Sequence, residues 1–297
     1  MDPIKRIEKA LAGAVEHSLI AAVAHAEAPG CPPRLAAAVR HAVFPGGQRI
    51  RPRLCLAVAC ACGEDDPTLA DAAAASIELL HCASLVHDDL PCFDDAPLRR
   101  GRPSVHREFG ERLAVLAGDA LIVLSFQTLA RGLACAPQRL APLMLIVSRA
   151  VGMPAGIVAG QAWESEANVA LAPYQQAKTG ALFAAAAMAG AGATGADAAP
   201  WRKFGERLGE AYQVADDIRD VAADVDELGK PVRRDAALGR PNAASEWGLA
   251  GAVQRLKQLV AEAVESIPPC SGAAGLRALI VTEAQRFLPK ELARRAA

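Results

Sequence analysis

Apolar residues recur every three or four positions along most of the chain, with polar residues between many of them. This spacing is typical of helices that bury one face, whereas the strict alternation that indicates strands is scarce. Glycine and proline mark most breaks between the periodic segments. The pattern predicts helices over 4–28, 33–43, 52–61, 68–90, 111–133, 138–151, 154–168, 172–191, 200–222, 246–266 and 273–294.

Composition narrows the architecture. The 297-residue chain is 52% hydrophobic but only 4% aromatic, and its many alanines favour helices that pack closely. The connections are mostly short, no change in composition divides the chain, and no repeat of solenoid type occurs. We therefore predict an all-α protein in which residues 1–297 form a single-domain helical bundle around a central cavity.

The charge balance excludes some partners. A net charge of -1 gives no general field that would attract nucleic acid or anionic lipid. The eight cysteines lack Cys-x-x-Cys pairing, which favours reduced thiols over disulfides, and a zinc site at Cys60-x-Cys62 is disfavoured. The N-terminus lacks a signal-peptide pattern, and the most apolar stretches are interrupted by arginine, proline or glycine. We expect a soluble, cytoplasmic protein without a transmembrane segment.

Two clusters of aspartates are the strongest chemical signal. The first places four carboxylates in eight residues after an apolar run, and Pro91 is expected to curl Asp94 back towards Asp88. The second lies on a predicted helix, where spacings of three and four residues put its carboxylates on one side. Such crowding is unfavourable without a cation, and oxygen ligands favour Mg²⁺. The predicted metal ligands are Asp88, Asp89, Asp94, Asp216, Asp217 and Asp220.

A basic segment predicts an anion site. Arg49, Arg51 and Arg53 follow the Gly46-Gly47 break at the start of a predicted helix, where unpaired N–H groups add to their charge. A solvated basic turn is the alternative for this segment. His81, on the apolar helix that leads into the first cluster, is either a satisfied core residue or a second part of the anion site.

These motifs together resemble the trans-prenyl diphosphate synthases of the polyprenyl synthetase family. The resemblance covers about residues 35–235 and rests on Asp-Asp, four residues, Asp, then Leu-Arg-Arg-Gly, with Asp-Asp-Ile-Arg-Asp downstream. It extends to Gly46-Gly47-Gln48-Arg49-Ile50-Arg51-Pro52, Ala117-Gly118-Asp119, Gly160-Gln161, Lys178-Thr179-Gly180 and Leu228-Gly229-Lys230.

The resemblance implies an isoprenoid-synthase bundle, a homodimer and a Mg²⁺-dependent condensation. An allylic diphosphate would ionise, and the double bond of isopentenyl diphosphate would attack the cation. By matching positions, the isopentenyl diphosphate is expected on Gln48, Arg51, His81 and Arg100. The allylic diphosphate is expected on Arg99, Lys178 and Lys230, and the cation beside Lys178, Thr179 and Gln213.

Small residues before the first cluster bear on product length. Ala83 and Ser84 are both small, whereas relatives that stop at fifteen carbons carry an aromatic residue at the position of Ala83. With the extra Pro91 and Cys92, the sequence resembles bacterial geranylgeranyl diphosphate synthases of carotenoid biosynthesis, which make a C20 product. The alternatives are a farnesyl diphosphate (C15) synthase, a weakly active regulatory subunit that binds prenyl diphosphates, and a terpene cyclase.

Three positions depart from the family pattern. Gln48 stands where most relatives have lysine, which removes one cation from the isopentenyl diphosphate site. Glu164 replaces the usual aspartate after Gly160-Gln161 and lengthens a side chain near the metals. Residues 238–243 do not match the usual Gly-Lys-x-Thr.

Overall fold

The computed structural model describes residues 3–63, 66–134, 136–166, 171–222 and 243–285. The prediction of an all-α protein is confirmed, since the described strands are limited to the antiparallel pair β1 (Leu98–Arg99) and β2 (Arg102–Pro103). The α-helices are α1 Pro3–Ala26, α2 Pro33–Val43, α3 Ile50–Cys62, α4 Pro67–Asp88, α5 Val105–Phe109, α6 Glu111–Gly132, α7 Pro137–Val151, α8 Ile157–Ala162, α9 Leu171–Gln175, α10 Ala181–Ala193, α11 Trp201–Ala222, α12 Ala243–Glu265 and α13 Ala273–Gln285.

Helices α4 and α10 form the centre of the molecule. Helix α4 packs most extensively against α6 and also contacts α3 and α10, while α10 packs against α11, α3 and α7. Helix α12 covers α11 from outside, where a smaller apolar cluster includes Val214, Ile218 and Leu256. The first acidic cluster therefore begins at the end of the central helix α4. The second lies on α11, which packs against the other central helix, α10.

Local sequence explains where α4 begins and ends. The Asp66 side chain accepts a hydrogen bond from the Thr68 N–H (2.9 Å), and Pro67 occupies the first helical position. The helix ends at Asp88, three residues before Pro91, as expected for a residue that disfavours helical geometry before it. The first acidic cluster thus starts at the end of a helix and continues into a turn.

Glycines allow the central helices to approach closely. A Cβ atom on Gly190 of α10 would lie 2.3 Å from the carbonyl oxygen of Cys55 in α3. A Cβ on Gly205 of α11 would lie 2.5 Å from the Cα of Ala184. These contacts agree with the close packing that the alanine-rich composition predicts.

The segment predicted as one helix over 172–191 is divided. Helix α9 ends at Gln175, Gln176–Gly180 form a π-helical turn, and α10 continues to Ala193. The predicted helix 154–168 is also shorter, because α8 spans Ile157–Ala162 and a 3₁₀ turn follows over Trp163–Ser165. A Cβ on Gly160 of α8 would lie 2.5 Å from the backbone nitrogen of Lys178, so α8 and the π-helical turn are in direct contact.

Among the described helices, α4 and α6 are long and apolar enough to cross a bilayer by length and composition alone. In α4, 78% of the apolar window is buried inside the protein, as expected of a core helix. In α6 the buried share is 44%. Helix α6 therefore presents an apolar surface that the described part of this chain leaves uncovered.

Candidate active site

The first acidic cluster folds back on itself after α4. The Asp94 N–H donates to the Asp88 carbonyl (3.0 Å), and the Ala96 N–H donates to the Asp89 carbonyl (3.1 Å). Asp95 adopts a positive φ of 43° in this turn. The predicted return of Asp94 towards Asp88 is confirmed by these contacts.

Three carboxylates converge at this turn. Ligand oxygens of Asp88, Asp94 and Glu164 all lie within 4.8 Å of one another. Oδ1 of Asp88 is buried without a hydrogen-bond partner, and burial raises the pKa of this carboxyl. A divalent cation would satisfy the buried oxygen and the converging charges together, and an oxygen-only donor set suits Mg²⁺. These residues therefore fit the cation that the sequence predicts.

A network of donors orients Glu164. Its Oε1 accepts from the Tyr174 hydroxyl (2.5 Å) and from Lys178 Nζ (2.5 Å), and its Oε2 accepts from the Gln161 amide (3.1 Å). Lys178 Nζ also lies 3.8 Å from Oδ1 of Asp88. The side chain of Glu164, which departs from the family pattern, is thus held by donors from α8, α9 and the π-helical turn.

The other two carboxylates of the first cluster have protein cations as partners. Asp89 is 2% exposed and accepts from Arg99 Nε (3.0 Å), although burial still raises the pKa of its carboxyl. Asp95 accepts from Arg107 (2.8 Å) and lies 3.5 Å from His106 Nε2. Asp89, a predicted ligand, and Arg99, a predicted diphosphate contact, therefore form one ion pair.

The second acidic cluster lies near the end of α11. Asp217 is 1% exposed and accepts from the Gln213 amide (2.9 Å), whose Oε1 accepts from the Thr179 hydroxyl (2.8 Å). Asp216 accepts from Arg219 (3.1 Å). Asp220 belongs to the same helix, but its side chain lies outside what the structure describes.

The π-helical turn links the two acidic clusters. Lys178 contacts the first cluster, and the adjacent Thr179 contacts the second through Gln213. Turns of π type inside helices frequently occur at functional sites, because they shift side chains out of helical register. Residues far apart in sequence are thereby brought around one segment.

Cationic groups gather around His81, which lies about two helical turns before Asp88 in α4. Arg51 Nη1 lies 3.4 Å from His81 Nε2, and the Arg51 guanidinium stacks 4.7 Å from the centre of the Phe183 ring. Burial lowers the pKa of Arg51 and, together with Arg51, Arg100 and two other arginines, holds the pKa of His81 well below its usual value. The imidazole is therefore neutral at pH 7, with the arginines carrying the positive charge.

The remaining predicted residues are distributed as follows. Ala83 is 2% exposed in α4, and the Ser84 hydroxyl donates to the His81 carbonyl (2.8 Å). Gln48 is exposed in the turn before α3. Lys230 and most of the segment 238–243 lie outside the described residues.

Sequence reasoning missed a buried carboxylate, Glu78, which is 2% exposed in α4 and accepts from Arg49 (2.7 Å). The signal was present, because an acidic residue inside an apolar helical run requires a buried partner. The missing information was the identity of that partner, which comes from another helix.

The fold and the site define an all-α bundle whose central helix α4 ends at an acidic oxygen cluster that fits a cation. The same helix carries a histidine next to an arginine, which fits an anion. The family model described as polyprenyl synthetase matches residues 32–270. The chain belongs to the polyprenyl synthetase family and is a trans-prenyltransferase.

Individual relatives agree with this assignment. The chain is 52% identical over 281 residues to the geranylgeranyl diphosphate synthase of Cereibacter sphaeroides, covering 95% of this chain and 98% of that protein. It is 48% identical over 274 residues to the protein of the same name from Rhodobacter capsulatus, covering 92% and 95%. A solved FPP/GFPP synthase from Zymomonas mobilis superposes with a TM-score of 0.81 at 29% identity, covering 95% and 99%. A geranyltransferase from Helicobacter pylori, complexed with magnesium and isoprenyl diphosphate, gives 0.77 at 30% identity, covering 95% and 98%.

Proposed function

We propose that this enzyme condenses isopentenyl diphosphate with allylic diphosphates and releases geranylgeranyl diphosphate as its main product. The observation that carries the proposal is the 52% identity to a geranylgeranyl diphosphate synthase over nearly the full length of both chains. A small residue at Ala83, buried in α4 next to the first acidic cluster, supports a C20 product because it leaves volume for a longer tail.

The metal is proposed to be Mg²⁺. Asp88, Asp94 and Glu164 would hold it, with Asp216 and Asp217 as further candidates from the second cluster. Bound Mg²⁺ supplies Lewis acidity that stabilises negative charge on a diphosphate. Removal of the metal with a chelator should abolish turnover, and added Mg²⁺ should restore it. Turnover that persists in the chelator would contradict this proposal.

The side chains have distinct proposed roles in the reaction. Arg99 and Lys178 would bind the allylic diphosphate and stabilise the charge that develops when the carbon–oxygen bond breaks. Arg51, Arg100 and His81 would hold the second diphosphate, and arginine suits it because its planar fork donates hydrogen bonds in pairs. Thr179 and Gln213 would offer oxygen dipoles to the allylic cation while the closed site excludes water.

Proton removal is assigned to the departing diphosphate. This follows the resemblance to the family, because no side chain in the sequence stands out as a general base. The diphosphate would take the proton that the new cation loses when the double bond forms. The chain would therefore need no catalytic histidine or carboxylate for this step.

The deciding experiment is a product analysis. Purified enzyme with Mg²⁺ and isopentenyl diphosphate should be supplied in turn with dimethylallyl, geranyl and farnesyl diphosphate, and the chain lengths measured. We expect C20 from each primer. Accumulation of C15 would favour a farnesyl diphosphate synthase, inactivity of the folded chain would favour a regulatory subunit, and turnover independent of isopentenyl diphosphate would favour a terpene cyclase.

We also propose a homodimer in the cytoplasm. Support for the dimer comes from the apolar surface of α6, where Val115, Leu116 and Val123 are 43%, 50% and 56% exposed. An uncovered apolar surface on a helix is a common feature of interaction sites. The cytoplasmic location is supported by the cysteines of the described residues, which are all free, as expected in a reducing compartment.

A further inference from the structure

Glu78 is a buried carboxylate close to several arginines. It is 2% exposed in α4, accepts a hydrogen bond from Arg49 Nη1 (2.7 Å) and lies 4.0 Å from Arg100 Nη2. Its charge also acts on Arg51, which is partly buried. A buried carboxylate is strongly unfavourable without such partners, so its presence here requires an explanation.

Arg49 is held rigidly by three acceptors. Besides Glu78, its guanidinium donates to Glu16 Oε1 (2.8 Å) and to the Val43 carbonyl (2.8 Å), and the residue is 6% exposed. Its φ of 51° lies in the left-handed region, which is unfavourable for a residue with a side chain. The buried contacts to Glu78 and Val43 fix the backbone at the point where the Gly46–Gly47 turn enters α3, whereas the side chain of Glu16 is 41% exposed.

The glycine turn runs past two guanidinium groups. A Cβ on Gly46 would lie 2.1 Å from Cζ of Arg49, and a Cβ on Gly47 would lie 3.0 Å from Nε of Arg100. Both guanidiniums also approach the carboxylate of Glu78. One buried acid is therefore the common neighbour of two arginines that contact successive residues of this turn.

We infer that Glu78 is a positioning residue for the diphosphate of isopentenyl diphosphate. It orients Arg100 and, through Arg49, fixes the Gly46–Gly47 turn that leads to Arg51. This inference rests on the proposed function, because it takes Arg51, His81 and Arg100 as the site of that diphosphate. Glu78 itself does not touch the substrate.

A simple counter-ion role makes the opposite prediction. If Glu78 only balanced the charge of the arginines, its neutralisation would leave more positive charge for the substrate and would lower the KM for isopentenyl diphosphate. If Glu78 positions the arginines, its neutralisation releases them and raises that KM. The direction of the change therefore separates the two roles.

The test compares E78Q and E78D with the control E16Q in the full chain. Glu16 pairs with the same Arg49 guanidinium, but its side chain is 41% exposed. We expect E78Q to raise the KM for isopentenyl diphosphate about tenfold, the scale of one charge-assisted contact. The KM for the allylic diphosphate and kcat should stay within about twofold, and E16Q should change none of the three by more than about twofold.

Glu78→Asp tests geometry at constant charge. It should also raise the KM for isopentenyl diphosphate, because its carboxylate is drawn back by one methylene. An unchanged or lowered KM in folded E78Q would overturn the inference, as would a wild-type KM in E78D if E78Q does not fold. Failure of both variants to fold, judged by circular dichroism, would show that Glu78 serves stability and would also overturn it.

A parallel R100A variant separates this inference from the function on which it rests. If R100A leaves the KM for isopentenyl diphosphate unchanged, the proposed site is wrong. If R100A raises that KM and folded E78Q does not, the site stands and the positioning role of Glu78 is wrong.

Discussion

Residues of the same type have different environments in the first acidic cluster. Asp88 and Asp94 converge with Glu164, whereas Asp89 and Asp95 are paired with Arg99 and Arg107. The sequence presents these aspartates as equivalent, because spacing gives only their positions along the chain. Their partners come from segments that the fold brings to the turn.

Removal of the Asp88 carboxylate should separate activity from stability. Burial raises the pKa of Asp88, so at neutral pH its ionised form is less favourable in the folded than in the unfolded chain. Asp88→Ala should abolish turnover, while the metal-free protein should keep or slightly raise its Tm. Activity and thermal unfolding measure the two effects, with the exposed Asp197→Ala as control. Loss of helical signal together with activity would show that Asp88 is structural.

The size of residue 83 should set product length. Ala83 is 2% exposed, so a phenylalanine there must fill any space reserved for the growing chain or displace its neighbours. We expect A83F to shift the main product from C20 to C15, with a loss of stability of about 1–3 kcal/mol from overpacking. Chromatography of the products tests this, and the nearly isosteric A83S should still make C20. Unchanged chain length in folded A83F would contradict it.

At the scale of elements, the boundaries of most helices follow from local sequence. Helix α3 ends before Gly63, which adopts the left-handed conformation (φ 86°), and α7 begins at Pro137. The π-helical turn at Gln176–Gly180 was not predicted. The sequence of this turn has ordinary helical periodicity. The turn lies where α8 contacts it at Gly160, a contact that local sequence does not show.

The contact between α8 and the π-helical turn should be essential for activity. A methyl group on Gly160 would lie 2.5 Å from the backbone nitrogen of Lys178 and 2.6 Å from its Cα. Only a shift of the backbone would relieve this clash. Gly160→Ala should therefore lower kcat at least tenfold, on the order of 1.4 kcal/mol, by displacing Lys178 and Thr179.

A matched control for Gly160→Ala is Gly275→Ala in α13. A Cβ at Gly275 meets no atom within 4 Å. This variant should keep full activity and gain up to about 1 kcal/mol of stability from the higher helix propensity of alanine. Steady-state kinetics and urea unfolding measure both variants. Equal activities would show that the close contact at Gly160 is dispensable.

At the scale of the whole molecule, the described helices share one main apolar core, to which α1–α8 and α10–α13 all contribute. A smaller cluster joins α11, α12 and α13. This agrees with the predicted bundle. The assignment of all residues 1–297 to a single domain stays a prediction.

The uncovered apolar surface of α6 should bind a second copy of the chain. Leu116→Glu with Val123→Glu would place charges in that interface and should convert the dimer to a monomer in light scattering at micromolar concentration. Val281→Glu in α13 is the control, because Val281 is 45% exposed on a different helix. Its dimer should persist. A monomeric wild-type chain would contradict the proposal.

The sequence by itself determined the helical class, most helix boundaries and the residue types of both acidic clusters. It did so because periodicity, glycine, proline and crowded carboxylates act over a few neighbouring positions. Only the tertiary structure decided that Glu164 joins Asp88 and Asp94, that Asp89 pairs with Arg99, and that Glu78 lies between Arg49 and Arg100. Arg99 is only ten residues from Asp89, but Glu164 and the arginines around Glu78 come from segments distant along the chain. The geometry of helix packing, which local sequence does not encode, selects these partners.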